Sequence, residues 1–139
     1  ESQPILSKHH YTKYPLFNFN NITIDEVPDI NEQLFGKRIE LFLFHLLKQS
    51  NAYIVLHSSL QIIDKKMTIG ELDFIIQDTN TKQFIHVELA YKFYLYNPAI
   101  ATNEIDGWIG PNNNDSLEKK LDKLQNKQFP LSFINNAYK

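Results

Sequence analysis

The chain has 139 residues, no cysteine and a net charge of −2. About one domain fits in that length, and 42% hydrophobic with 13% aromatic residues excludes a disordered chain. The missing thiols exclude disulfide frameworks and thiolate zinc or iron–sulfur sites, so a metal could be held only by oxygen or imidazole, which points to a hard ion such as Mg²⁺ or Mn²⁺. The faint acidity argues against a basic coat for nucleic acid, though not against an enzyme whose basic residues are local.

The longest apolar stretch, Ile39 to Leu47, is broken by Glu40 and His45 and falls far short of the ~18 residues of a membrane span. No basic-then-apolar leader opens the chain, so the expectation is a cytoplasmic protein without a membrane role. The first residue is Glu1, not methionine, which suggests a piece of a longer protein.

Residues 1–27 read as an irregular arm, with Tyr11, Tyr14, Phe17 and Phe19 expected to pack on the body, and 28–139 as one domain. A helix is expected from Ile30 to Gln49. Asp29 would cap it, with Glu32 in capping-box register. Phe35, Ile39, Phe42, Leu43, Leu46 and Leu47 make one stripe at helical spacing, with Glu40 at its edge.

Three strands are expected next: Tyr53–Ile63, Thr68–Gln77 and Gln83–Tyr94. The turns are Asp64-Lys65-Lys66 and Asp78-Thr79-Asn80-Thr81-Lys82. A long connection, Tyr96 to Asn114, precedes a second helix over Ser116–Gln128. Asp115 would cap that helix and Pro130 would stop it. The order helix, three strands, helix predicts an α/β (α+β) fold, a mixed, mostly antiparallel sheet flanked by helices.

Strand alternation places Glu71, Asp73 and Ile75 on one face of the second strand, and His86, Glu88, Ala90 and Lys92 on one face of the third. Hairpin pairing would bring Asp73 and Glu88 together. Two carboxylates held close repel and favour a proton or a cation. A divalent ion satisfies both, and beside a lysine such a site has the ingredients of phosphodiester hydrolysis.

The run Gly70-Glu71-Leu72-Asp73-Phe74-Ile75 followed by His86-Val87-Glu88-Leu89-Ala90 resembles the core of the PD-(D/E)XK, or restriction-endonuclease-like, nuclease superfamily. Gly36-Lys37-Arg38-Ile39-Glu40, Glu88 to Leu95 and Trp108-Ile109-Gly110-Pro111-Asn112 are similar to signatures of a bacterial family described only as a domain of unknown function. The likeness covers roughly residues 30–132 and extends the expectation of a nuclease-like core over the domain 28–139. It implies Asp73, Glu88 and the Leu89 carbonyl as ligands of Mg²⁺ or Mn²⁺, Glu40 in a supporting or second-metal position, and DNA as substrate. The superfamily lysine falls at position 90, which here is Ala90. Lys92 lies ~7 Å further along a strand and is the expected substitute, completing the catalytic set Glu40, Asp73, Glu88 and Lys92. A further strand would begin at Leu131–Ile134.

Other residues carry lesser expectations. Gln61 and Lys120 are candidate substrate contacts. Lys119, Lys120, Lys123 and Lys127 could track phosphates, though Glu118 and Asp122 among them favour a solvated helix face. His86 reads as a satisfied sheet histidine and Trp108 as a loop anchor. The alternative function is a nuclease-like domain that has lost its chemistry and binds nucleic acid or a protein.

Overall fold

A computed structural model describes residues 29–134 of the chain. The expected arm at 1–27 lies outside the described residues. The fold is α+β: a helix, an antiparallel three-stranded sheet and a second helical segment. By its contacts the chain divides into two compact units. Among the described residues, a sheet unit holds 29–91 and 128–134, and a loop unit holds 92–127.

In the sheet unit, α1 (Phe35–Gln49) starts five residues after the expected Ile30. Leu34 occupies the N-cap, and Asp29 does not cap. The reason is local. Glu32 turns its carboxylate onto the Leu34 N–H at 2.8 Å, and the Arg38 guanidinium donates twice to the Glu32 carbonyl. The donors and acceptors that an earlier helical start would use are already taken. Leu43 and Leu47 of the predicted stripe are buried, while Phe35 and Phe42 are exposed.

β1 (Tyr53–Asp64) and β2 (Met67–Asp78) form a long antiparallel hairpin. Asp64 pairs with Met67 across Lys65 and Lys66, both at positive φ (46° and 70°), as a two-residue turn of matching twist requires. Asp78 closes the next turn. Its Oδ1 accepts from the Asn80 and Thr81 N–H groups at 2.8 Å each, and these bonds, Thr81's first, hold its carboxyl below the usual range.

β3 (Phe84–Val87) completes the sheet in the order β1-β2-β3. It ends at Val87 and not at the expected Tyr94. β2 is therefore central, and Leu72, Phe74, Ile75 and Ile76 are all buried. The face assigned to Glu71, Asp73 and Ile75 is therefore covered at Ile75.

The second helical segment differs from expectation at both ends. α2 (Leu117–Lys123) is capped by Ser116, whose side chain accepts from the Lys119 N–H at 3.2 Å, and not by Asp115. A π-helical turn (Leu124–Gln128) leads into α3 (Phe129–Ile134). Pro130 does not stop the helix: it is the second residue of α3, directly after the π-helical turn, where the regular hydrogen-bond ladder is already interrupted. The strand expected at Leu131–Ile134 is this helix. Leu131 packs with Ile62, Leu72 and Ile75, and a Cβ on Gly70 would lie 2.3 Å from its Cδ1.

In the loop unit, β4 (Leu95–Tyr96) pairs with β5 (Trp108–Ile109). Trp108 anchors the connection, with its ring 5.2 Å from that of Tyr96 and its indole N–H donating to the Glu104 carbonyl at 3.0 Å. Among the described residues no helix is long and apolar enough to cross a membrane.

Candidate functional site

The last paired positions of β2 and β3 are Phe74 and Val87. One step on, Asp73 faces Glu88, and there side chains take over from the ladder. Asp73 Oδ2 accepts from the Leu89 N–H at 2.7 Å. Glu88 Oε1 accepts from the Asp73 N–H at a longer 3.4 Å. Each acid side chain thus meets the backbone of the other's strand, at facing positions of β2 and β3. The exchange also explains why β3 ends early: Leu89 gives its amide to a carboxylate and not to a β2 carbonyl.

β1 is irregular at the same level. Ser58 pairs with Phe74 and Leu60 with Leu72, leaving Ser59 opposite Asp73 with φ at 50°. That conformation costs about 1 kcal/mol or more for a residue with a side chain, so the backbone is distorted beside the acid pair.

Glu88 is not a solvated strand acid. Its side chain is 3% exposed and that of His86 6%. His86 Nε2 lies 2.7 Å from Oε1, and the Gln128 side-chain amide donates to Oε2 at 3.1 Å. The same amide donates to the Glu71 carbonyl at 3.3 Å. His86 pairs with buried Ile75 across the sheet, and its ring meets Phe129 edge-on at 5.5 Å. Gln128 and Phe129 therefore lie over this part of the acid-bearing face.

The other predicted residues fall as follows. Glu40 sits on α1 and binds the Lys37 ammonium at 2.5 Å. The Lys37 ammonium is held above the ordinary lysine value first by that bond and further by the charges of Glu40, Glu71 and Asp73, while burial opposes them. Lys37, which no motif singled out as a site residue, thus feels the acids of the sheet. Gln61 pairs with Glu71 across the hairpin and is exposed. Leu89, whose carbonyl is the expected metal ligand, donates its amide to Asp73.

Lys92 does not extend β3, so strand alternation no longer places it beside Glu88. It belongs to the loop unit and pairs with Asp115 at 3.0 Å. The Lys92 hydrogen bond, first among the causes, holds the Asp115 carboxyl below its usual range. Lys120 lies on α2 in the same unit. Nearby, Glu118, Lys119, Asp122, Lys123 and Lys127 line an open groove of mixed sign, and Lys119 is engaged with the Asn114 carbonyl. That is a solvated helix face in character.

Among the described residues, no group of three or more His, Asp or Glu side chains is arranged to hold a metal ion. The acid pair itself has suitable chemistry for a hard cation. A carboxylate has about four acceptor positions. At Glu88, Oε1 already receives two donors and Oε2 one. Such a pair fits an ion that keeps most of its waters, as Mg²⁺ does, and fits poorly one that demands a closed protein cage.

The chain matches a family model over residues 20–138, and the family is described as a domain of unknown function (DUF1853). The chain belongs to the DUF1853 family. No curated protein and no solved structure matches it. The DUF1853 match covers both units, so the acid pair, Gln128 and the Lys92–Asp115 pair all fall inside the family domain.

Proposed function

We propose that this DUF1853 domain is a nuclease-like protein whose Asp73 and Glu88 bind Mg²⁺ or Mn²⁺ and which hydrolyses DNA phosphodiester bonds. The observation that carries the reading is the reciprocal lock, in which Leu89 N–H holds Asp73 and Asp73 N–H meets Glu88. It sets the two acids at facing positions of neighbouring strands, which supports the resemblance to the PD-(D/E)XK pattern. When bound, the divalent ion would offset the acid–acid repulsion and draw charge from a phosphoryl oxygen.

In this reading Asp73 and Glu88 orient the ion, and Glu40 supports the site from α1. The Lys37 ammonium, paired with Glu40 on α1, is the cation offered to negative charge arriving on a phosphate. Lys92, the lysine expected from the sequence pattern, pairs with Asp115 in the loop unit, and no role at the acid pair is assigned to it.

The second reading is a domain that keeps the scaffold and binds nucleic acid or a protein without cutting. Ala90 in the lysine position, the enclosed Glu88 carboxylate and the Lys92–Asp115 pair favour it. Incubation of supercoiled and linear DNA with wild type and Glu88→Gln, under Mg²⁺ and under Mn²⁺, separates the two. Cleavage by wild type that is lost in E88Q supports the enzyme. Inactive wild type that still retains DNA supports the binder.

A further inference from the structure

Glu88 is held from both sides by side-chain nitrogens, His86 Nε2 at Oε1 and the Gln128 amide at Oε2. With Glu88 as a carboxylate, which only accepts, Nε2 of His86 carries the proton between them. The other ring nitrogen is Nδ1. It is buried and has no hydrogen-bond partner among the described residues. Leaving a buried polar atom unmatched is unfavourable. The ring keeps that arrangement all the same, with Phe129 against it edge-on. On the other side, both hydrogens of the Gln128 amide are committed, one to Glu88 Oε2 and one to the Glu71 carbonyl. The consequence lies in the lone pairs. Oε1 is filled by His86 and the Asp73 amide, while Oε2 has a single donor and one position left to give.

We propose that His86 is a positioning residue: through Nε2–H it fixes the Glu88 carboxylate so that Oε2 is the oxygen left with an open acceptor position. Where Oε2 is offered to a cation, the inference rests on the cation reading given above. The orientation of Glu88 itself does not.

The test uses the full chain with His86→Gln, which offers an N–H at similar reach, and His86→Leu, which keeps bulk without a donor. In metal-free protein, the amide resonances of Asp73 and Leu89 report the lock. They should move in H86L and return most of the way in H86Q. Mn²⁺ affinity by calorimetry should fall about 10–100-fold in H86L, the range for losing a group that orients a ligand, with recovery in H86Q. Amides and affinity unchanged in H86L, with only a lower melting temperature, would mean that His86 merely fills space, and the proposal fails. If wild type itself binds no Mn²⁺, the cation reading fails on its own, and the amide shifts still decide the role of His86. Should H86L not fold, nitrogen NMR of the wild-type ring decides. A proton on Nε2 supports the assignment, and a proton on Nδ1 with Nε2 bare overturns it.

Discussion

Removing the Glu88 carboxylate tests whether the enclosed network exists. Glu88→Ala strands two donors, His86 Nε2–H and one Gln128 N–H, together with the longer bond from Asp73 N–H. The Glu88 and His86 side chains are almost fully buried, so water cannot simply replace the carboxylate. At about 1–3 kcal/mol for each buried unsatisfied donor, the two short bonds give a loss of about 2–6 kcal/mol. Gln128 retains the Glu71 carbonyl, which places the expected value near ~3 kcal/mol. Glu88→Gln keeps an acceptor for His86 but turns an N–H toward the Gln128 amide, so its cost should be smaller, about 1 kcal/mol. Equilibrium urea unfolding reads both, as a lower midpoint with unchanged slope. A domain's whole stability is about 5–15 kcal/mol, so the ordering wild type, E88Q, E88A should be unmistakable. If E88Q and E88A were both more stable than wild type, the His86 and Gln128 hydrogen bonds would not be holding Glu88, and the enclosed network would be wrong.

Three other outcomes follow from the packing and the charges. Leu131→Ala should cost about 2–4 kcal/mol in the same unfolding assay, because it opens a cavity against Ile62, Leu72 and Ile75; a loss below half a kcal/mol would mean α3 does not pack there. Gly36→Ala should displace Tyr91, whose hydroxyl lies 1.9 Å from where the new Cβ would stand, and the change should appear as a shift of the Tyr91 ring resonances and a lowered melting temperature. Lys92→Ala should raise the Asp115 titration toward the ordinary aspartate value near ~3.9, followed by NMR. The depressed Asp115 carboxyl stabilises the fold above that ordinary value, and its contribution is lost as pH falls through its own lower one. K92A should therefore lose stability at neutral pH and change less than wild type on acidification.

Much of this architecture was legible in the residues. The long β1–β2 hairpin, both turns and the meeting of Asp73 with Glu88 follow from period-two alternation and turn chemistry. Apolar alternation continues past Val87 and so predicts a longer third strand, whereas the ladder ends where Asp73's own side chain captures the Leu89 amide. No hydrophobic pattern encodes that substitution. The face of Lys92 follows from the same alternation, and the strand ends before reaching it. At Pro130, position decides: directly after the π-helical turn the regular hydrogen-bond ladder is already interrupted. His86 carried a usable signal, because an i, i+2 spacing from Glu88 puts both on one face of a strand. Gln128 carried none, for it reaches Glu88 across 40 residues, a contact that only the packing of the chain creates.

The central claim is that Asp73 and Glu88 form a divalent-cation site. Calorimetric titration of Mn²⁺ into wild type and Asp73→Asn addresses it most directly, with circular dichroism confirming that both are folded. The account predicts saturable binding in wild type that is lost in D73N. No binding in wild type, or the same binding in both, would contradict it.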